Sequence, residues 1–178
     1  MIINSQKRTF GRGEKVSLFT LGTMRATESL EKMYGIIKNA YYAGINHIET
    51  APSYGDAESL IGNSIKKLEI EENIKEKNWV ITSKVLPKGD FDFLKNNFKN
   101  SLKNLNRGKI NNLAIHGLNL EQHLDWVLNG EGKKFISWIL EKELVDQVGF
   151  SSHGSYSLIK DAITVSYTHL TLPTTYSV

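Results

Sequence analysis

Residues 44–58 decide the fold, and they read Gly44-Ile45-Asn46-His47-Ile48-Glu49-Thr50-Ala51-Pro52-Ser53-Tyr54-Gly55-Asp56-Ala57-Glu58. A short apolar run ends in the carboxylate of Glu49, and a loop containing Pro52 and Gly55 then presents Tyr54. Gly44 stands where the preceding helical pattern stops, as is common for the residue that follows a helix. The stretch therefore predicts a helix end, a buried strand and a polar loop in immediate succession.

Helical periodicity alternates with strand-like runs along the rest of the chain. The predicted strands cover residues 16–21, 45–49, 79–83, 110–115 and 144–150. The first helix repeats Leu30, Met33, Ile37 and Tyr41 at spacings of three and four, which places them on one face. Strands that alternate with helices favour βαβ units and a parallel sheet.

Two short extended segments precede the first predicted βα unit. Residues 7–10 and 14–17 flank Gly11-Arg12-Gly13, and this glycine-rich turn predicts a small N-terminal β-hairpin. In a barrel, we expect such a hairpin to cover the N-terminal mouth.

The composition is that of one globular domain. The chain has 178 residues, of which 40% are hydrophobic and 23% charged, and a formal net charge of +3 that does not require nucleic acid. It contains no cysteine, which excludes disulfides and thiolate sites. No stretch approaches the roughly 18 apolar residues of a membrane span, and the polar first ten residues lack the apolar core of a signal peptide. We expect a cytoplasmic protein without a membrane partner.

The composition changes at about residue 165. Residues 165–178 contain no Asp, Glu, Lys or Arg and show no apolar periodicity. A disordered or strand-like tail is one interpretation. We favour a foreign end, because residues 166–175 resemble the translated read-through of an adaptor or vector. The predicted division is a partial barrel over residues 1–164 and a non-native tail over residues 165–178.

Four chemically distinct side chains stand at or just beyond the predicted strand ends. They are Glu49, Tyr54, Lys84 and His116. The carboxyl ends of the strands are where a parallel α/β barrel places its chemistry, so these groups predict one proton-transfer site. Taken singly, each has a structural interpretation, such as a rim aromatic, a solvated charge or a core histidine. A Schiff base on Lys84, as in an aldolase barrel, is a further alternative, but it leaves Tyr54 and His116 unexplained.

Residues 44–58 resemble the aldo/keto reductase family, whose members usually read Gly-x-Asn-x-x-Asp-Thr-Ala-x-x-Tyr-Gly with a glutamate shortly after. Residues 21–24, 82–84, 115–116 and 148–154 resemble further family segments in the same order. The resemblance covers residues 7–163. It implies a (β/α)8 TIM barrel, here truncated after about five βα units, because a complete barrel needs about 250 residues.

The resemblance implies metal-free reduction of a small-molecule carbonyl by hydride from NADPH, with NADH possible. Tyr54 would donate the proton to the carbonyl oxygen, and Lys84 would stabilise the resulting negative phenol oxygen. Glu49 would hold Lys84, and His116 would orient the substrate. The implied cofactor-binding residues are Gly22, Thr23, Met24, Ser151 and Ser152.

Two residues depart from the usual family pattern. Glu49 replaces the common aspartate, and a branch of the family shares this Glu-Thr-Ala sequence; some of its members carry a C-terminal iron–sulfur region. Ser152 replaces a common asparagine. Among the other histidines, we expect His47 to pack in the core, His123 to lie on a polar helix face, and His153 to be able to reach the cofactor.

Family barrels bind the adenine and the 2′-phosphate mainly through loops after the later strands. The sequence supplies five of eight strands, so we expect the 178-residue chain to fold incompletely and to bind NADPH weakly. A second interpretation is a cofactor-sensing subunit on the same fold with little turnover.

Overall fold

The computed structural model describes residues 6–11 and 13–164 of the chain. The predicted tail over residues 165–178 lies outside these described residues. The strands are β1 (Lys7–Thr9), β2 (Lys15–Ser17), β3 (Thr20–Gly22), β4 (His47–Glu49), β5 (Val80–Val85), β6 (Ile110–Ile115) and β7 (Val145–Phe150). The helices are α1 (Leu30–Tyr42), α2 (Ala57–Glu72), α3 (Phe91–Asn104), α4 (Glu121–Leu128), α5 (Glu131–Glu141) and α6 (Tyr156–Thr164), with a 3₁₀ turn at Glu76–Asn78.

The N-terminal strands β1 and β2 form the predicted antiparallel hairpin, with Arg8 opposite Val16. The single strand predicted over residues 16–21 is wrong in its extent, because the chain bends between β2 and β3. The Ser17 hydroxyl donates to the carbonyl oxygen of Phe19 at 2.6 Å, and the Ser17 backbone N–H donates to Asn46 Oδ1 at 2.7 Å. These two hydrogen bonds, one local and one to a residue 29 positions away, accompany the division of one apolar run between the hairpin and the main sheet.

The main sheet has five parallel strands in the order β3-β4-β5-β6-β7. Gly22 pairs with Glu49, and Glu49 pairs with Thr82, so neighbouring strands end at one edge of the sheet. The predicted parallel α/β architecture is confirmed. Its consequence for function is that residues following different strands converge at the same carboxyl edge.

Apolar side chains of the helices pack against one face of the sheet. Ile48, Ile81, Leu113 and Val148 each stand next to a polar residue on their strands and belong to the buried core. The largest fully buried side chains include Trp79, Phe135, Met33 and Ile37. None of the helices within the described residues is long and apolar enough to cross a membrane.

Local sequence signals fix the ends of several helices. The Ser29 side chain accepts from the Lys32 backbone N–H and begins α1, and Asp90 accepts from Phe93 in the same way at the start of α3. Gly44 follows α1 with a positive φ of 81°, as its position in the sequence predicts. A Cβ at Gly62 would lie 2.4 Å from the carbonyl oxygen of Asn104, so glycine permits close packing of α2 on the end of α3.

Candidate active site

Lys84 is the centre of the site at the carboxyl edge of the sheet. It lies near the end of β5 and is only 5% exposed. Its Nζ donates to Glu49 Oε1 at 2.6 Å and to the carbonyl oxygen of Thr50 at 3.1 Å. The longer side chain of glutamate therefore reaches the ammonium directly, and the ion pair compensates the burial of the positive charge.

Tyr54 brings a phenol to the same ammonium. Lys84 Nζ donates to Tyr54 Oη at 3.1 Å and lies 4.7 Å from the centre of the tyrosine ring. A compact turn holds the tyrosine, because its backbone N–H donates to Ala51 O at 3.0 Å and its carbonyl accepts from Ala57 N at 3.2 Å. Gly55 takes a positive φ of 58° within this turn. Residues that lie 30 positions apart thus meet at hydrogen-bonding distance.

His116 completes the cluster from the end of β6. Its backbone N–H donates to Val85 O at 2.7 Å, and its Nδ1 lies 3.4 Å from the Ser53 hydroxyl. The ring meets Tyr54 edge-on at a centroid distance of 5.8 Å. Burial lowers the pKa of His116 below its usual value; the nearby Lys84 charge adds to this effect, and Glu49 opposes it. The imidazole is therefore neutral at neutral pH.

We call Glu49, Tyr54, Lys84 and His116 the strand-end cluster. A cavity of about 220 Å³ opens beside it. The cavity is lined by Pro52, Ser53, Lys84, Val85, Leu86, Phe93, Asn97, Phe98, Ser101 and His116. An apolar wall next to a few polar groups is the usual composition of a small-molecule site.

The predicted cofactor residues at the end of β3, which is the first strand of the main sheet, differ from one another in burial and contacts. Gly22 pairs with Glu49 across the sheet, and the buried Thr23 hydroxyl donates to the carbonyl oxygen of Glu49 at 2.9 Å. Met24 is 54% exposed at the same edge. Thr23 thus supports the backbone that carries Glu49, while Met24 offers an apolar surface to the solvent side of the site.

The predicted cofactor residues after β7 close a loop onto the end of β6. Ser151 Oγ accepts from the backbone N–H of Gly117 at 3.1 Å. Ser152 Oγ donates to Leu118 O at 2.5 Å and accepts from Gly154 N at 2.9 Å. The serine hydroxyls therefore shape this loop, and only Ser151 keeps its hydroxyl hydrogen available for a ligand. His153 is exposed at the same edge.

Below the strand-end cluster lies a set of uncharged side chains that we call the neutral layer. Its members are Thr20, His47, Thr82, Asn112 and Gln147. Gln147 Nε2 donates to Asn112 Oδ1 at 2.5 Å, and Asn112 Nδ2 donates to Thr82 Oγ1 at 3.0 Å. Thr82 Oγ1 lies 2.8 Å from His47 Nε2, and His47 Nδ1 lies 2.9 Å from Thr20 Oγ1. One hydrogen-bonded chain thus joins all five parallel strands.

His47 is held neutral within this layer. It is 2% exposed, and burial lowers its pKa to about 4. The ring also packs against Phe10 of the hairpin turn at a centroid distance of 4.9 Å with the planes tilted by 55°, so the predicted core role of His47 is confirmed. Sequence reasoning did not identify the layer. The available signal was the recurrence of polar residues within four apolar runs, two positions before Glu49, Lys84, Ala114 and Gly149.

A buried contact between Glu58 and Ser83 was also missed. Ser83 Oγ donates to Glu58 Oε1 at 2.6 Å, and the two residues are 0% and 2% exposed respectively.

Within the described ranges, no group of three or more histidine and acidic residues is arranged to hold a metal ion. The prediction of a metal-free reaction stays a prediction.

The sequence profile of the aldo/keto reductase family matches residues 19–164 of this chain. The match covers most of the 178 residues. The chain belongs to the aldo/keto reductase family. The resemblance identified from residues 44–58 is therefore confirmed, and oxidoreductase chemistry is the general activity of this family.

Similar proteins agree with this assignment. A protein named aldose reductase from Encephalitozoon cuniculi (strain GB-M1) is 39% identical over 85 residues, which are 48% of this chain and 27% of that protein. A thermostable aldo-keto reductase solved with the inhibitor epalrestat is 28% identical with a TM-score of 0.72, covering 89% of this chain and 57% of that one. A Bombyx mori aldo-keto reductase in complex with NADP is 21% identical with a TM-score of 0.76, covering 95% and 57% respectively.

The TM-scores of 0.76 and 0.72 confirm the predicted fold. The chain spans 57% of the length of each of the two solved relatives, which are aldo-keto reductases. Its described residues contain five parallel strands of a (β/α)8 barrel together with the N-terminal hairpin.

Proposed function

We propose that this chain carries the proton-transfer site of an NAD(P)H-dependent carbonyl reductase. The observation that supports this most directly is the position of Lys84 Nζ, 3.1 Å from Tyr54 Oη and 2.6 Å from Glu49 Oε1. Glu49 holds the ammonium of Lys84 next to the phenol of Tyr54. This arrangement favours loss of the phenol proton, because the positive charge stabilises the phenolate. A small aldehyde or ketone is the proposed substrate.

Tyr54 is the proposed general acid. When a carbonyl accepts hydride, negative charge develops on its oxygen, and a proton donor must lie within hydrogen-bonding reach of that oxygen. Lys84 stabilises the phenol oxygen as it loses its proton, because an adjacent positive charge favours the ionised form. Glu49 keeps the ammonium in place on a neighbouring strand, so that Lys84 need not reorganise during the step.

His116 is the proposed orienting group. Its imidazole is neutral because burial and the Lys84 charge lower its pKa. A neutral ring can donate one N–H to the carbonyl oxygen without competing with Tyr54 as a strong acid. The edge-on contact with Tyr54, at a centroid distance of 5.8 Å, supports a role for both side chains as donors to the same carbonyl oxygen.

NADPH, or alternatively NADH, supplies the hydride when bound. The residues present fit the nicotinamide end of such a cofactor, because the Ser151 oxygen accepts from Gly117 and its hydroxyl hydrogen remains for a carboxamide oxygen. Ser152 is a proposed second contact, although it would have to exchange its hydrogen bond to Leu118. Gly22, Thr23 and Met24 are proposed to border the cofactor at the opposite end of the sheet.

Cofactor affinity is expected to be low for the 178-residue chain. The described residues supply five parallel strands, whereas family barrels bind the adenine and 2′-phosphate mainly after later strands. Titration of tryptophan fluorescence with NADPH should therefore give weak quenching that does not saturate below about millimolar concentration. Saturable quenching at micromolar NADPH would contradict this expectation.

The proposed reaction is tested by steady-state NADPH consumption with a panel of aldehydes, at millimolar cofactor so that weak binding does not hide turnover. Tyr54→Phe should lower kcat by roughly 10²- to 10⁴-fold, because it removes the general acid and little volume. Tyr34→Phe is a matched control, since Tyr34 donates to Glu71 on the helical surface, away from the site. A rate that survives Tyr54→Phe would reject the assignment, and saturable cofactor binding without turnover would favour a cofactor-sensing subunit.

A further inference from the structure

A buried contact between Ser83 and Glu58 lies on the face of β5 opposite to Lys84. Side chains alternate across a strand, so Lys84 points to the site and Ser83 points to the helices. Ser83 Oγ donates to Glu58 Oε1 at 2.6 Å, and both side chains are almost completely buried. A carboxyl group removed from water at this depth is costly unless its surroundings compensate it.

The position of Glu58 explains how the fold tolerates this group. Glu58 lies in the first turn of α2, where backbone N–H groups and the helix dipole favour negative charge. The apolar residues Ile61, Ile65 and Leu68 already bury the same helix against the core. The hydrogen bond that Glu58 accepts from Ser83 is therefore an additional contact at the start of α2, beside the apolar contacts that dock the helix.

Both ends of the contact are adjacent to the strand-end cluster. Ser83 directly precedes Lys84, and Glu58 follows Tyr54 by four residues. Backbone hydrogen bonds connect the tyrosine turn to the start of α2, because Ala57 N donates to Tyr54 O at 3.2 Å and Leu60 N donates to Asp56 O at 3.0 Å. A hydrogen bond between Glu58 and Ser83 thus links the tyrosine turn to the lysine strand from behind.

We propose that Glu58 is a positioning residue that, through Ser83, sets the separation of Tyr54 Oη and Lys84 Nζ. The expected effect of Glu58 on the rate rests on the proposed carbonyl reduction. The expected effect on the separation of Tyr54 Oη and Lys84 Nζ does not depend on that reaction. Proton transfer depends steeply on the placement of donor and partner, so a small displacement of the tyrosine turn lowers the rate without removing any reacting group.

The experiment uses the full chain labelled with ¹³Cζ-tyrosine, so that the environment of Tyr54 is read without turnover. The Tyr54 resonance is assigned by its loss in Tyr54→Phe, and Lys84→Met gives the signal of a tyrosine without its ammonium. Ser83→Ala and Glu58→Leu should move the Tyr54 resonance toward the Lys84→Met position. Glu58→Gln should keep it near the wild-type position, because the amide oxygen still accepts from Ser83.

The matched control is Ser64→Ala. Ser64 is a fully buried serine of the same helix, and no described residue forms a hydrogen bond with its hydroxyl. This change should leave the Tyr54 resonance in place.

The same variants are also compared in aldehyde reduction. Ser83→Ala should lower kcat about tenfold with little change in KM, and Glu58→Gln should retain most of the wild-type rate.

Two results would overturn the proposal. One is a Tyr54 resonance that stays at its wild-type position in both Ser83→Ala and Glu58→Leu while only the melting temperature falls, which indicates a purely structural contact. The other is an equal displacement in Ser64→Ala, which indicates a general response of α2. If the wild-type chain shows no turnover, the proposed function fails, and the resonance positions alone decide the role of Glu58.

Discussion

The strand-end cluster and the neutral layer share strands β4 and β5 and differ in how their hydrogen-bonding capacity is used. His47 and Glu49 stand two residues apart on β4, and Thr82 and Lys84 stand two apart on β5. In the neutral layer, the Thr82 hydroxyl contacts both His47 and Asn112. In the strand-end cluster, His116 Nδ1 lies 3.4 Å from the Ser53 hydroxyl, and the proposed role of the ring is to orient a substrate.

This difference separates stability from chemistry within one sheet. The neutral layer pairs uncharged groups with one another, which joins the strands and leaves little capacity for a substrate. The strand-end cluster keeps an ammonium and a carboxylate together next to a cavity of about 220 Å³. Substitutions in the strand-end cluster should therefore mainly lower kcat, and substitutions in the neutral layer should mainly lower the free energy of unfolding.

Among the changes that test this comparison between the two sets, the largest effect is expected from Lys84→Met. Methionine fills similar space, but it removes the positive charge that stabilises the Tyr54 oxygen, so kcat for aldehyde reduction should fall roughly 10²- to 10³-fold. Steady-state NADPH consumption measures this change. Lys109→Met is the control, because Lys109 pairs with Asp146 at 2.6 Å on the surface. An equal loss of kcat in Lys84→Met and Lys109→Met would contradict a specific role of Lys84 in the reaction.

Thr82→Val should weaken folding without a comparable loss of rate per folded molecule. It removes the hydroxyl between His47 and Asn112 and should cost about 3 kcal/mol of unfolding free energy, measured by urea denaturation. Thr50→Val is the same change at a fully buried hydroxyl that has no hydrogen-bond partner among the described residues, and it should be nearly neutral. Similar losses in the two variants would show that the neutral layer contributes little stability.

A smaller effect is expected from pH. His47 has a pKa of about 4 in the folded chain and about 6.5 when unfolded, so the unfolded state binds more protons between these values. Stability is therefore complete above about pH 6.5 and falls as the pH drops toward 4, by roughly 2 kcal/mol between pH 7 and pH 5. His47→Gln should remove this part of the acid sensitivity.

Denaturation of wild type, His47→Gln and His153→Gln at pH 7 and pH 5 measures the difference. His153 is exposed, so its substitution should leave the acid sensitivity unchanged. If the His47→Gln chain loses as much stability at pH 5 as wild type, the protonation of His47 does not contribute to acid unfolding.

Much of the fold followed from local patterns, and the errors arose where contacts between distant parts of the chain decide the structure. Apolar periodicity located the helices and the four later parallel strands, because each element buries one face or run against the core. The first strand was misplaced because residues 16–21 read as one apolar run, whereas side-chain hydrogen bonds of Ser17 and Asn46 bend it. The neutral layer was overlooked because single polar residues inside apolar strands give no signal until the strands are aligned.

The sequence by itself determined which groups stand at the strand ends and that they share one edge, because parallel strands joined by helices bring their carboxyl ends together. Only the tertiary structure decided that Glu49 reaches Lys84 at 2.6 Å and that Glu58 contacts Ser83 at 2.6 Å. These contacts join residues 35 and 25 positions apart. Their lengths depend on strand register and helix packing, which are set by the whole core rather than by any short stretch of sequence.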